Sequence, residues 1–250
     1  MAQLEQELIQ VANSGILTRR VFLADGDAMM LPFKRLKEIL LLIKQYLPKV
    51  SRVSSYCLPR NLHNKTVEQL AELKQLGLKL MYVGCESGDD QVLSLVEKGE
   101  TFDSSLTALN KIKQAGMKSS VMILNGLGGP ELSHQHAVNS AKLMNAAQPN
   151  YLSTLVVSFP FGEQRFAQNF NQEKLQPYRQ LNQQELFAEM ATLLSHLELK
   201  QTIFRSDHAS NYLVLKGVLG EDKEKLIAQV QQAINQPNSV NLRQEWQRGL

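Results

Sequence analysis

The sequence predicts an α/β fold of parallel strands, and a barrel is the arrangement that fits it best. Strand-like and helix-like segments alternate, with short connectors, from the N-terminus to residue 161. Because a helix follows each strand, consecutive strands are expected to run parallel with right-handed crossovers. Successive strands also end in polar or glycine-rich turns, and barrels collect their functional loops at the carboxyl ends of their strands. An open doubly wound sheet fits the alternation equally well, but the position of these turns favours the barrel.

The predicted strands are short apolar or β-branched runs that are bounded by turn residues. In chain order they cover residues 20–24, 52–57, 80–84, 119–124 and 151–159. Asp25-Gly26-Asp27 follows the first strand, Glu86-Ser87-Gly88 follows the third, and a glycine-rich turn at 126–129 follows the fourth.

The predicted helices carry apolar residues at spacings of three and four, and they begin or end at recognisable caps. In chain order they cover residues 2–12, 32–46, 66–77, 91–97, 101–115 and 134–147. Pro32 opens the second helix, and Pro48 lies just beyond its end. Thr66 caps the third helix with Gln69 three residues later, and Gly77 closes it.

The pattern changes after residue 161, so the predicted organisation is a barrel at 1–161, a C-terminal extension at 162–234 that packs on the barrel, and a tail at 235–250. Residues 163–181 are rich in Gln, Asn and Arg and predict a long surface loop or a small subdomain. The rest of the extension is α+β. Its predicted helices cover 183–197 and 222–234, and its extended segments cover 202–204 and 212–215.

Composition limits the classes of function. Hydrophobic residues make up 43% of the 250 residues and charged residues 20%, as in an ordinary globular domain. No apolar run approaches the roughly 18 to 20 residues of a membrane span, and residues 1–12 lack the features of a signal peptide, so a cytoplasmic location without membrane contact is expected. The net charge of +3 is spread along the chain, which argues against a dedicated nucleic-acid surface.

The turns after the strands hold the candidate site residues, and each has two interpretations. Asp25-Gly26-Asp27 suits a metal ion, an ammonium group or ribose hydroxyls, or is a plain turn capped by Asp25. Glu86 is expected to face a ligand crevice, whereas Ser87 is also a candidate helix N-cap; both readings are compatible. The amides of the glycine turn at 126–129 can cradle an anion or a nucleobase edge, or simply close a strand–helix turn.

Histidines give weaker signals. His134 and His136 are two residues apart, which does not place both on one helix face, so both are predicted to lie on the surface. His208 belongs to a dense polar string at 205–212 between apolar segments. This string predicts either a loop packed against the barrel mouth or a buried polar network without chemistry.

Taken together, these motifs resemble the radical SAM superfamily, in the group with an Elp3-like or methylthiotransferase-like core. The segments that carry the resemblance are VFLADGDAMMLP at 21–32, RVSSYCLPRNL at 52–62, YVGCESGDDQVLSLVEKGET at 82–101 and VMILNGLGGPE at 121–131. The third, with its E-S-G turn and short helix ending in K-G, is the most diagnostic. Residues 204–226 resemble the C-terminal signature of an uncharacterised radical SAM group.

The resemblance implies a partial (β/α)6 TIM-like barrel that holds S-adenosylmethionine (SAM) and a four-iron four-sulfur cluster at the strand carboxyl ends. The parent reaction is reductive cleavage of SAM to a 5′-deoxyadenosyl radical, which then abstracts hydrogen from a substrate, small or macromolecular, that the sequence does not identify. Carried over by motif, the turn at 25–27 binds the SAM amino group, the turn at 86–87 contacts its methionine or ribose part, and the turn at 125–129 lines the adenine pocket. The implied cofactor-binding residues are Asp25, Gly26, Asp27, Ser55, Glu86, Ser87, Asn125, Gly126 and Gly128.

The sequence departs from this family in its cysteines. The family's first strand ends in a C-x3-C-x2-C loop that ligates the cluster, whereas this sequence starts at the helix that would follow that strand. Its only cysteines, Cys57 and Cys85, lie in later strands and are expected to be reduced packing residues. We therefore expect an N-terminally shortened chain, with the first strand missing, that is inactive alone. Its exposed sheet edge predicts either pairing with another chain, including a second copy, or covering by another element.

Two other functions stay open at this point. The first is a cluster-free barrel that binds a ligand or a partner protein. The second is a Mg²⁺- or Mn²⁺-dependent hydrolase that uses Asp25, Asp27 and Glu86.

Overall fold

The computed structural model describes residues 1–24, 27–159, 162–172 and 178–248. Its strands are hydrogen-bonded in chain order into a single sheet. They are β1 (Arg20–Leu23), β2 (Arg52–Cys57), β3 (Leu78–Glu86), β4 (Lys118–Asn125), β5 (Tyr151–Val156), β6 (Thr202–Ser206) and β7 (Leu215–Leu219).

Helices occupy most of the connections between these strands. They are α1 (Ala2–Asn13), α2 (Phe33–Tyr46), α3 (Val67–Gln75), α4 (Asp90–Leu95), α5 (Phe102–Gln114), α6 (Gly129–Ala147), α7 (Gln164–Gln172), α8 (Gln183–His196) and α9 (Lys223–Asn235). The predicted Thr66 cap is confirmed, because its side chain accepts from the amide of Gln69 and the Gln69 side chain bonds back to Thr66.

The sheet is mostly parallel and open. β1 pairs with β2, β2 with β3 and β5 with β6 in parallel, whereas β6 and β7 are antiparallel. The predicted α/β class with parallel strands is therefore confirmed, and β1 and β7 form the two edges of the sheet. Pairing of the β1 edge with a second copy stays a prediction.

The chain divides into two compact units. The first unit comprises residues 1–84 and 107–120, and the second comprises residues 85–106 and 121–250. In the first unit, α1 packs on α2 and α2 on α3. The buried faces of these helices include Leu36 and Leu40 of α2 and Leu70 and Leu73 of α3. Three aromatic side chains on neighbouring strands, Phe22, Tyr56 and Tyr82, contact one another with ring centroids 4.8 to 6.2 Å apart.

In the second unit, α8 is the central helix of a packed layer. It contacts α6 on one side and α9 on the other, and α9 also contacts β7. Apolar residues of all three helices are buried there, namely Leu143, Met144, Leu193, Leu194, Leu226 and Val230. None of the described helices is both long and apolar enough to cross a bilayer.

Three element predictions need correction. The strand predicted at 212–215 is wrong, since β7 begins only at Leu215, and Ser210 and Asn211 instead bond to the backbone of β5 at Val156 and Thr154. Helix α6 begins at Gly129 rather than at residue 134, because Pro130 suits the first turn of a helix. Residues 164–172, within the predicted loop or subdomain, form α7.

Candidate functional site

The turn after β3 presents a carboxylate on an unusual backbone. Glu86 has φ of 65°, in the left-handed region, which costs a non-glycine residue about 1–2 kcal/mol. Its Oε1 accepts a hydrogen bond from Nζ of Lys98 at 3.0 Å, and the two side chains are 20% and 17% exposed. Lys98 was not among the predicted site residues. Because this cation already pairs with Glu86, the arrangement does not favour the metal-hydrolase interpretation, and the described residues contain no group of three metal-ligating side chains.

Ser87 lies deeper than its neighbour and does not cap α4. The cap is Asp89, whose Oδ1 accepts from the amide of Val92 at 2.9 Å, so the N-cap interpretation of Ser87 is wrong. The Ser87 side chain is fully buried, and its Oγ lies 2.8 Å from Nδ1 of His136. The same Oγ accepts from the amide of Asp89 at 3.0 Å.

The surface prediction for His136 is wrong, although His134 is exposed as predicted. His136 is 1% exposed, and its Nε2 lies 3.0 Å from the carbonyl oxygen of Leu124. Because α6 begins earlier than predicted, His136 lies one and a half to two turns inside the helix. There it contacts Ser87 in the turn after β3 and Leu124 near the end of β4.

The turn after β4 is hydrogen-bonded to a buried carboxyl group. The amide of Gly126 donates to Oε1 of Glu189 at 2.6 Å, and the carbonyl of Gly126 accepts from the hydroxyl of Tyr178 at 3.2 Å. Gly126 has φ of 83°, which explains the need for glycine there. Asn125 is buried and lines a small cavity, while Gly128 is the N-cap residue of α6. The predicted role of this turn in ligand binding stays a prediction, but the Gly126 amide is already hydrogen-bonded within the protein.

The first unit contains the other predicted site residues. Asp25 and Gly26 lie outside the described residues. Asp27 accepts from Nδ2 of Asn61 through Oδ2 at 2.8 Å, and its Oδ1 is buried with no donor among the described residues. Ser55 is fully buried in β2 and donates to the carbonyl of Tyr56 at 2.9 Å. Nearby, Lys65 donates to the carbonyl of Met29, and burial lowers the pKa of its ammonium group.

The two cysteines do not form a cluster cradle. Cys57 and Cys85 are both buried and neither forms a disulfide, and three converging thiolates are needed to hold a four-iron cluster that leaves one iron for SAM. Cys85 is packed in the interior, and burial raises the pKa of its thiol to about 12. The donor set in this chain therefore does not fit the cluster.

Neither thiol is expected to react quickly with a small disulfide reagent at pH 8 while the chain is folded. At this pH a thiol with a pKa of about 12 is ionised in only about one molecule in ten thousand, and both side chains are shielded by burial. Absorbance of the released thiolate should report almost no reaction in minutes, and two thiols per chain after unfolding in guanidinium. Rapid release from the folded chain would contradict this description of the cysteines.

The polar string at 205–212 is a hydrogen-bonded loop. His208 is exposed, with Nδ1 2.9 Å from Oγ of Ser210, so the buried-network interpretation does not apply to this histidine. Arg243 donates to the carbonyls of Asp207, His208 and Asn211, so residues near the C-terminus hold the loop closed.

Comparisons with known proteins agree on one family. A family model described as the radical SAM superfamily matches residues 1–144. The heme chaperone HemW of Bacillus subtilis (strain 168) is 25% identical over 157 residues, which are 61% of this chain and 41% of HemW.

Solved structures show the same fold. Coproporphyrinogen III oxidase (HemN) from Escherichia coli aligns with 78% of this chain and 44% of its own, at 17% identity and a TM-score of 0.59. Elp3 of the archaeon Methanocaldococcus infernus aligns with 91% of this chain and 57% of its own, at 14% identity and a TM-score of 0.53. The chain thus spans about two fifths to three fifths of the length of these relatives. Since the family model covers residues 1–144 of 250, this chain belongs to the radical SAM superfamily.

Proposed function

We propose that this chain binds SAM through the turns that follow β3 and β4, and that these 250 residues do not supply the thiolates of the iron–sulfur cluster. In the parent reaction, SAM bound to a cluster is cleaved reductively to a 5′-deoxyadenosyl radical. Without cluster ligands, the chain alone binds SAM but does not cleave it. The observation that carries the proposal is the Glu86 turn.

Glu86 has the features of a ligand-binding carboxylate. Non-glycine residues held at positive φ collect at binding sites, where the surrounding structure offsets their cost. An ionised carboxylate only accepts hydrogen bonds, so it suits the hydroxyl groups of a ribose. Glu86 is 20% exposed and therefore within reach of a ligand, while Lys98 fixes one of its oxygens.

The glycine turn after β4 suits the uncharged end of the nucleoside. The family resemblance assigns adenine to this turn, and Asn125 is the buried polar side chain beside it.

Asp27 is a separate feature of the first unit, and its contact with the SAM amino group stays a prediction of the family resemblance. Its Oδ1 is buried and has no donor among the described residues, and a buried acceptor without a donor costs about 1–3 kcal/mol.

Calorimetric titration of the iron-free chain with S-adenosylhomocysteine tests the proposal. This ligand keeps the nucleoside and amino-acid ends of SAM and cannot undergo sulfonium cleavage. We expect saturable binding to one site, and Glu86→Gln should weaken it about tenfold, since it removes the charge and leaves Lys98 without its ion pair.

Glu131→Gln is the matched control, because Glu131 is an exposed acid in the first turn of α6. It should leave the dissociation constant unchanged. Absence of binding heat from the folded wild-type chain would rule out the proposed function, and equal affinities of wild type and Glu86→Gln would remove Glu86 from the site.

A further inference from the structure

A buried carboxyl group lies beneath the glycine turn of the second unit. Glu189 belongs to α8, beyond the segment that the family model matches. Its side chain is 2% exposed. Oε1 accepts from the amide of Gly126 and Oε2 accepts from Oγ of Ser133, both at 2.6 Å. Both carboxyl oxygens are therefore engaged, one by the turn and the other by helix α6.

A buried histidine connects the end of β4, just before the glycine turn, with the turn that follows β3. Nε2 of His136 lies 3.0 Å from the carbonyl oxygen of Leu124, and Nδ1 lies 2.8 Å from Oγ of Ser87. A carbonyl oxygen only accepts, so in the neutral ring Nε2 is the donor and Nδ1 accepts from the Ser87 hydroxyl. Nε2 also lies 4.0 Å from Oε1 of Glu189. The two side chains thus form one buried group between the two turns.

We propose that Glu189 and His136 are positioning residues that fix the turns at 86–88 and 125–128 in the geometry that receives the nucleoside. This inference rests on the proposed function. The physical reason is the flexibility of the glycine turn, where Gly126 and Gly129 have φ of 83° and 59°. A turn of this kind loses conformational freedom when it binds a ligand, and a partner that fixes it beforehand removes that cost from binding.

The arrangement also determines which ligand groups the turn can accept. Turns that bind phosphate present several free backbone amides to the anion. Here Glu189 takes the Gly126 amide, and the Gly129 amide donates to the carbonyl of Gly126 at 3.1 Å. The turn is therefore suited to an uncharged nucleoside rather than to a nucleotide phosphate.

The test compares adenosine binding by the full chain and its variants, at a temperature where circular dichroism shows every variant folded. In Glu189→Gln, the amide oxygen still accepts from the Gly126 amide, and the amide nitrogen can donate to Oγ of Ser133. This variant should bind adenosine within threefold of wild type. Glu189→Leu leaves the Gly126 amide without a partner and should bind at least tenfold more weakly. Leu193→Ala is the control for lost stability, since Leu193 is 2% exposed on α8 and does not contact the turn through any of these bonds.

The Leu193→Ala variant should be destabilised and yet bind adenosine as wild type does. Equal adenosine affinity in Glu189→Leu and wild type would overturn the inference, as would equal weakening by Glu189→Leu and Leu193→Ala. If the wild-type chain binds S-adenosylhomocysteine but not adenosine, the same comparison is made with S-adenosylhomocysteine. If it binds neither, the proposed function fails and amide hydrogen exchange decides whether Glu189 fixes the turn. The Gly126 amide should then be protected in wild type, Glu189→Gln and Leu193→Ala, and exchange faster in Glu189→Leu; equal protection in all four would refute it.

Discussion

Gly88→Ala is expected to lower the free energy of unfolding by about 3 kcal/mol. A Cβ atom at this position would overlap the carbonyl oxygen of Asn139 and lie 2.8 Å from Cα of Ser140. These are backbone atoms in the middle of α6, so they cannot rotate away as a flexible side chain would. Any shift that relieves the overlap also weakens the bond from the Gly88 amide to Oγ of Ser140, which is 3.0 Å long.

Guanidinium unfolding followed by circular dichroism measures this change. Gly15→Ala is the control for steric overlap, because Gly15 has open space where a Cβ would be, although its φ of 74° adds a backbone cost that Gly88 does not bear. Gly15→Ala should lower the free energy of unfolding only by the cost of a left-handed backbone in alanine, about 1 kcal/mol. Equal unfolding midpoints for the two variants would show that α6 does not pack against Gly88 as described.

Asp89→Ala should destabilise the second unit by about 2–3 kcal/mol. Asp89 is 3% exposed, and it caps α4 through the amide of Val92. Its other oxygen accepts from Nδ2 of Asn139 at 2.6 Å, which ties the start of α4 to α6. Alanine removes the cap and leaves the amide nitrogen of the partly buried Asn139 without this acceptor.

The same unfolding measurement applies to Asp89→Ala. Asp103→Ala is its control, since Asp103 is an exposed acid in the first turn of α5 that contributes mainly through the helix dipole, worth about 0.5 kcal/mol. The capping role would be contradicted if Asp89→Ala lowered the free energy of unfolding no more than Asp103→Ala does.

The elements that the sequence predicts well are those decided by local physics. Apolar spacing, the Thr66 cap and glycine stops fix most helices to within a residue or two, and short apolar runs fix the parallel strands. The start of β7 was predicted too early in the chain. The side chains of Ser210 and Asn211 hydrogen-bond to the backbone of β5 just before β7, and those bonds exist only in the folded chain.

The candidate site is predicted less completely because its support comes from distant parts of the chain. Glu189 bonds to an amide 63 residues earlier, which no local pattern reveals. One signal was available: Glu189 falls between Leu186 and Leu193 on the apolar face of α8, and an acid on an apolar face needs a buried partner. The pairing of Lys98 with Glu86 was not predicted, because it depends on the left-handed backbone of Glu86, which brings the two side chains together.

Anaerobic reconstitution of this chain with iron and sulfide, followed by iron analysis and incubation with SAM and a reductant, tests the central claim most directly. Because Cys57 and Cys85 are buried and no third cysteine is present in the sequence, we predict a colourless chain with far less than one cluster per molecule and no 5′-deoxyadenosine. A brown chain that holds about four irons per molecule and cleaves SAM would contradict it.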